Sequence, residues 1–177
     1  MTELELVAPT KEYEAQVMAL RQTFFDNNEG FNGCAGLEYT DSYDDWLDFE
    51  NRLKRAYGET YIPSSVFLSV RKSDNKVVGI IDVRHQLNDV MLKWGGQIGC
   101  SVLPDERRKG YATEMLRLAL EKCRELNLTK VLICCDKENI ASAKTIVANG
   151  GVLENEVPDE MNLGKSGVMQ RYWIEIL

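Results

Sequence analysis

One stretch of this chain combines consecutive cations, a glycine and a following helix, a combination suited to holding an anion. It is the run Arg107-Arg108-Lys109-Gly110-Tyr111-Ala112-Thr113. The first main-chain N–H groups of a helix have no partner inside the helix, and the helix dipole favours negative charge at that end. Gly110 lets a ligand approach the backbone closely, and Ala112 keeps the next outward side chain small. The run predicts an anion-binding loop, with a basic turn ahead of a surface helix as the alternative.

The flanking residues predict the strand before the loop and the helix after it that such a site requires. We expect a strand over 97–103, and a helix over 113–126 because apolar residues recur there at helical spacing. The apolar run 130–136 is typical of a strand covered on both faces. A second helix over 139–148 ends at Asn149-Gly150-Gly151, which is a strong stop signal.

The spacing Arg107-x-x-Gly110-x-Ala112, between that strand and that helix, resembles the Q/R-x-x-G-x-G/A signature of the GNAT superfamily of N-acetyltransferases. The family's loop binds the pyrophosphate of acetyl-CoA. The resemblance therefore implies an acetyl-CoA-dependent enzyme that transfers an acetyl group directly to a primary amine. Residues 84–88 (RHQLN) followed by 95–99 (GGQIG) are similar to a bacterial subgroup of predicted acetyltransferases in the same superfamily.

The order of the remaining elements is similar to that of the family over essentially the whole chain. The patterns predict a strand over 4–8, a helix over 11–25, a helix from Asp41-Ser42 onward, strands over 65–71 and 76–84, and a closing strand over 168–177. The resemblance implies an α/β GNAT acyl-CoA N-acyltransferase fold, with a mixed central sheet of about seven strands flanked by about four helices. A single domain over residues 1–177 is expected.

Composition narrows the class of protein. A net charge of −7 argues against nucleic acid as the main partner. No apolar run is long enough to cross a membrane, and the N-terminus lacks the pattern of a signal peptide, so a cytoplasmic protein is expected. Five cysteines without a C-x-x-C pair, and one histidine, predict reduced thiols and no metal site. A homodimer is one assembly that the family resemblance allows.

The resemblance also implies which residues hold acetyl-CoA. Val102 is expected to offer its N–H and C=O to the pantetheine arm, and the amides of Arg108, Lys109, Gly110, Tyr111, Ala112 and Thr113 are expected to surround the pyrophosphate. Arg107 holds the position where the family has glutamine or arginine. The side chains of Arg108 and Lys109 either reach the ribose 3′-phosphate or are solvated.

Two further residues are expected near the acetyl group. Asn139 matches the asparagine that begins the next helix of the family and contacts the cofactor near its thiol, and it also suits a helix N-cap. The main-chain N–H of Cys100 aligns with the amide that polarises the acetyl carbonyl, as an oxyanion-binding donor should. The family's usual acid, a tyrosine in the helix after Asn139, is replaced by Ile146.

A base is needed to take the proton of the amine, and the sequence offers few candidates. His85 has a suitable unperturbed pKa and is the first candidate, although a single histidine at the end of a strand also suits a structural role. Asp82 and Asp89 rank behind it. Gln97 stands near the position of the family's strand glutamate and could orient an amine or a water molecule without taking a proton.

The segment from Gln22 to Asn51 contains no lysine or arginine but many acids, and in this family it borders the acceptor site. The acids Asp44 and Asp45 and the aromatic residues Tyr39 and Tyr43 could therefore bind a small cationic amine. A solvated acidic surface is the alternative. Three functional hypotheses follow: an N-acetyltransferase of a small amine, a non-catalytic acyl-CoA-binding or regulatory protein, and an enzyme that acetylates peptide N-termini or lysines.

Overall fold

The computed structural model describes residues 3–55 and 61–176. Within them, seven strands form two antiparallel sheets rather than the single mixed sheet expected. The four-stranded sheet has the order β1 (Leu4–Val7), β2 (Ser64–Arg71), β3 (Lys76–Arg84), β4 (Ile98–Val102). The three-stranded sheet has the order β5 (Lys130–Asp136), β7 (Val168–Glu175), β6 (Val152–Pro158).

Four α-helices pack on these sheets: α1 (Glu14–Asp26), α2 (Tyr43–Leu53), α3 (Tyr111–Glu125) and α4 (Ile140–Ala148). Each of the predicted strands and helices is present, with ends that differ by a few residues. A five-residue π-helical turn, Met91–Gly95, was not predicted. The turn is followed by Gly96, which two features of the position require. Its φ of 69° is one that residues with a side chain rarely adopt, and a Cβ there would lie 2.5 Å from the carbonyl oxygen of Leu132.

The two sheets are joined at the start of β4. The N–H of Gln97 donates to the carbonyl of Leu132 at 2.7 Å, and the N–H of Leu132 donates to Gln97 Oε1 at 2.6 Å. Beyond this point no ladder of hydrogen bonds pairs β4 with β5 in the described chain. The side chain of Gln97, which is 6% exposed, therefore closes one end of an opening between the sheets.

Apolar side chains cover both faces of the four-stranded sheet. One core packs α3 against this sheet and the neighbouring sheet, and it includes Met115 and Ala119, both 0% exposed. The other core packs α1 and α2 against the opposite face around Trp46, also 0% exposed. Because β3 is buried on both faces, its backbone holds the site residues described below in fixed positions.

Candidate active site

The first part of the site is the cleft between β4 and β5. The N–H of Leu103 donates to the carbonyl of Val78 on β3 at 2.9 Å. Since successive residues of an antiparallel strand direct their polar groups to opposite sides, the N–H groups of Cys100 and Val102 point away from β3. They therefore lie on the edge of β4 that faces the cleft.

The loop 107–113 follows the C-terminal end of β4, one of the two strands that flank the cleft, and forms a cradle of main-chain N–H groups there. Arg108 and Gly110 have φ angles of 63° and 84°, and such alternation turns successive N–H groups toward one concave side. Helix α3 begins directly behind them at Tyr111. Within the described chain, no acceptor is bonded to the N–H groups of 108–113. A Cβ on Gly110 would meet no heavy atom within 4 Å, so the space beside the loop is open.

Arg107 bonds to the protein on both sides of the loop. Its Nε donates to the carbonyl of Val102 at 3.2 Å, and its NH2 lies 2.6 Å from Glu29 Oε2. The carbonyl of Val102, predicted to accept from a ligand, thus has a protein donor already. Arg107 links β4 to the segment that follows α1.

Lys109 belongs to an ion cluster around the buried carboxylate of Glu106, which fixes the start of the loop. Glu106 is 3% exposed. Its carboxylate accepts from Lys76 Nζ at 2.6 Å, Lys109 Nζ at 2.7 Å and Arg71 NH1 at 2.8 Å. Burial raises the pKa of Glu106, but the bonded lysines and the charge of Arg71 outweigh burial and lower the pKa to about 2. Arg108, by contrast, is exposed and forms no ion pair with any described residue.

The cleft encloses about 320 Å³, and Cys100, Asn139 and Ile146 line it. Asn139 Oδ1 accepts from the N–H of Ser142 at 3.1 Å, so the residue caps α4 and borders the cleft at once. Ile146 is 2% exposed. The described lining contains no tyrosine, so this wall supplies no phenol as a proton donor.

The thiol of Cys100 is not a nucleophile at neutral pH. Burial, assisted by the charge of Asp82, raises the pKa of Cys100 to about 11. The protonated thiol is unreactive. The group that Cys100 offers to the cleft is therefore its main-chain N–H.

A second cavity, of about 530 Å³, lies beside α2 over the ends of β2 and β3. Its described lining is Ala35, Gly36, Tyr39, Thr40, Phe49, Leu53, Tyr61, Ile62, Ser64, Asp82, Arg84, Asn88 and Met91. Arg84 and Met91 also line the cleft. The two spaces therefore adjoin at these two side chains.

A buried carboxylate lies at this junction. Asp82, on β3 opposite Gly99 of β4, is 4% exposed. Its Oδ1 accepts from the N–H of Gly99 at 2.9 Å, and its Oδ2 lies 3.2 Å from Arg84 NH2. The NH1 of Arg84 donates to the carbonyl of Gly96 at 3.0 Å, which fixes the guanidinium.

Burial raises the pKa of Asp82 above its usual value, against the opposing charge of Arg84 and the hydrogen bond from Gly99. A carboxylate with a raised pKa is better matched to accepting a proton near neutral pH. The sequence ranked Asp82 behind His85. A stronger signal was available: Asp82 interrupts the apolar run of β3, and a buried acid in such a run is uncommon.

His85 lies just past β3 and lines neither cavity. Its Nε2 is 2.9 Å from the hydroxyl of Ser65. Ser64, the neighbouring residue on the opposite face of β2, is the one that lines the second cavity. Burial lowers the pKa of His85, partly offset by the charge of Glu50. His85 therefore has a hydrogen-bond partner on β2 and lies outside the described lining of both cavities.

Of the residues expected to bind the acceptor, Tyr39 lines the second cavity and is 84% exposed. Tyr43 does not line it, because its ring is buried and its hydroxyl donates to the carbonyl of Thr10 at 2.7 Å. Asp44 pairs with Lys11 on the surface, also at 2.7 Å. Asp45 accepts from the hydroxyl of Ser42 at the start of α2. Asp44 and Asp45, the acids expected to bind the amine, therefore contact other parts of the protein.

Two other kinds of feature are absent from the part of the chain that the structure describes. No helix is long and apolar enough to cross a membrane. No group of three or more histidine, cysteine or acidic side chains there is arranged to hold a metal ion.

The sequence model of the acetyltransferase (GNAT) family matches residues 19–147. No curated protein sequence matches the chain.

Several solved structures are similar over nearly the whole chain. RimJ from Mycobacterium smegmatis, in complex with CoA-disulfide, has a TM-score of 0.74 at 16% identity, covering 97% of this chain and 81% of that one. The microcin C7 self-immunity acetyltransferase MccE, in complex with acetyl-CoA and AMP, has a TM-score of 0.71 at 17% identity, covering 99% and 94%. Spermidine N-acetyltransferase from Vibrio cholerae, in complex with CoA and spermine, has a TM-score of 0.67 at 17% identity, covering 99% and 96%. These similarities show a shared fold.

Proposed function

Because the chain belongs to the acetyltransferase (GNAT) family, we propose that it transfers an acetyl group from acetyl-CoA directly to a primary amine bound in the second cavity. The observation that carries this proposal is the position of Asp82, which borders the acceptor cavity and accepts a hydrogen bond from Gly99 on the wall of the cleft. A proton acceptor is thus held where the two substrates meet.

The residues of the cleft fit acetyl-CoA. The N–H groups of 108–113, with no acceptor in the described chain, suit the pyrophosphate. Arg108 is the exposed cation available to the 3′-phosphate, since Lys109 is held by Glu106. The N–H of Val102 is directed to the cleft and suits a carbonyl of the pantetheine arm, which pairs as a peptide does.

Acetyl-CoA supplies a thioester: the carbon–nitrogen bond forms and the carbon–sulfur bond breaks. The ammonium group of the acceptor loses two protons, one to a base before it attacks and one, after the carbon–nitrogen bond has formed, to the departing thiolate. The N–H of Cys100 would bind the carbonyl oxygen as negative charge develops on it. Asp82 would take the proton of the ammonium group, directly or through one water molecule. Arg84 would keep the carboxylate oriented, as its NH2 is 3.2 Å from Oδ2.

The lining of the cleft also supports direct transfer. A covalent acetyl-enzyme would require a reactive nucleophile, and the cysteines of the described lining are Cys100, Cys134 and Cys135. Burial raises their thiol pKa values to about 11, about 12 and about 11, respectively, which disfavours the reactive thiolate at neutral pH. No other step is needed between the acetyl donor and the amine.

The test is a thiol-release assay with acetyl-CoA and a panel of primary amines, with product mass measured in parallel. We expect stoichiometric release of CoA and a mass gain of one acetyl group on the amine. Tight binding of acetyl-CoA without transfer to any amine would instead identify a non-catalytic acyl-CoA-binding protein. Transfer confined to peptide N-termini or lysines would identify a protein acetyltransferase.

A further inference from the structure

The acceptor cavity has an apolar side formed by α2 and the segment before β2. Phe49 and Tyr61 pack edge to face, with ring centroids 5.5 Å apart, and Leu53 and Ile62 lie beside them on the lining. Met91 of the π-helical turn adds a thioether at the junction with the cleft. Such walls favour a ligand with an apolar or aromatic body.

The charged groups of the described lining are confined to the neighbouring pair Asp82 and Arg84. Two acids of this region form ion pairs within the protein: Asp44 pairs with Lys11, and Glu50 pairs with Lys54 and accepts from the N–H of Val66. An extended polyamine would place its further cations against apolar walls. Because an unpaired buried charge is unfavourable, the lining disfavours such a ligand.

The pair has opposite charges side by side. A guanidinium has five N–H donors. NH1 of Arg84 donates to the carbonyl of Gly96, and NH2 forms the ion pair with Asp82. The Arg84 side chain is 22% exposed. Donors therefore remain for a ligand anion next to Asp82. An ammonium group beside Asp82 and a carboxylate beside Arg84 would complement this arrangement.

From the apolar wall and this charge pair we infer that the acceptor is an α-amino acid, or a close derivative with a free carboxylate, carrying an apolar or aromatic side chain. The inference rests on the proposed function for the identity of the reaction. The binding chemistry it describes belongs to the cavity itself and can be measured without turnover.

The test compares ligands that differ in one group. Phenylalanine and leucine are each titrated into the protein by calorimetry. Their affinities are compared with those of phenethylamine and isoamylamine, which lack the carboxylate, and with that of spermidine. We expect the amino acids to bind about 10- to 100-fold more tightly than the matched amines, the effect of one charge-assisted interaction. Equal binding of the matched amines, tighter binding of spermidine, or no binding by the amino acids would overturn the inference.

Arg84→Gln isolates the contribution of the guanidinium. Loss of Arg84 also disturbs Asp82, but that disturbance affects both members of each pair of ligands. The ratio of their affinities should therefore fall to about 1 in the variant if Arg84 holds the carboxylate. Arg124→Gln, which removes an exposed arginine of α3, should leave the ratio unchanged. A ratio that survives Arg84→Gln contradicts the inference.

The outcome is separable from that of the proposed function. If the amino acids bind with the expected preference but no CoA is released from acetyl-CoA, the cavity chemistry stands and the transfer reaction fails. If CoA is released with the simple amines as rapidly as with the amino acids, the reaction stands and the inferred substrate class fails.

Discussion

Substitution of Asp82 by asparagine removes the proposed base while preserving most of its contacts. An amide oxygen can still accept from the N–H of Gly99, which donates to Oδ1 at 2.9 Å. The ion pair with Arg84, at 3.2 Å, is lost, and an amide cannot take a proton from the amine. Since general base catalysis contributes about 100- to 10,000-fold, we expect kcat to fall within that range.

The structural cost of the same substitution should be modest. Arg84 keeps its bond to the carbonyl of Gly96, so we expect the free energy of unfolding to fall by about 1–3 kcal/mol. Affinity for acetyl-CoA should not change, because Asp82 does not line the cleft. Steady-state kinetics, thermal unfolding and calorimetric titration measure the three effects separately.

The pH profile provides an independent check. Burial raises the pKa of Asp82, so kcat/KM of the wild type should increase with pH through a limb above the usual range of an aspartate. This limb should be absent in Asp82→Asn. Asp26→Asn, which changes an exposed aspartate at the end of α1, is the matched control and should behave as the wild type. Retention of the wild-type rate and pH profile by Asp82→Asn would refute the assignment.

Four further changes test the remaining parts of the site. Gly110→Trp should weaken acetyl-CoA binding by more than about 10-fold in calorimetry, and its positive φ should cost about 1–2 kcal/mol of stability in thermal unfolding. His85→Ala should retain kcat within about 3-fold, since His85 contacts Ser65 and lines neither cavity; a 100-fold loss would restore it as the base. Charge reversal at Asp44 should leave the KM of the acceptor unchanged, because Asp44 pairs with Lys11 outside the cavity; an increased KM would return it to the acceptor site. Glu106→Gln should lower the free energy of unfolding by about 1–3 kcal/mol at pH 7. The wild type should lose the contribution of Glu106 to stability as the pH falls from 4.5 toward about 2, and the variant should not show this loss in unfolding curves measured from pH 7 to pH 2. An unchanged pH dependence in the variant would contradict the role of the ion cluster.

The parts of the fold that the sequence predicted depend on local patterns. The strand 130–136 was predicted with the bounds of β5, since an unbroken apolar run between polar ends has few alternatives. The start of α4 at Asn139 follows from side-chain capping, and the loop 107–113 from a glycine and cations next to a helix. Each of these features is determined by neighbouring residues in the chain.

The features that sequence reasoning missed depend on contacts between distant residues. Asp82 was named as a base candidate behind His85, but its position opposite Gly99 on β4 depends on the register between two strands, which the residues of β3 alone do not specify. Tyr43 was expected in the acceptor site because of its acidic neighbours, but its hydroxyl bonds to Thr10, which lies far away in sequence. The side chain of Gln97, expected to orient an amine, accepts from the N–H of Leu132 and joins the two sheets.

The central claim is that the cleft with its N–H cradle binds acetyl-CoA next to an amine cavity. Calorimetric titration of the protein with acetyl-CoA, compared with dephospho-CoA, tests it most directly. The account predicts one molecule of acetyl-CoA bound per chain, with weaker binding of dephospho-CoA because Arg108 loses its phosphate partner. Absence of acetyl-CoA binding would contradict the account, since the open N–H groups of 108–113 would then serve no such ligand.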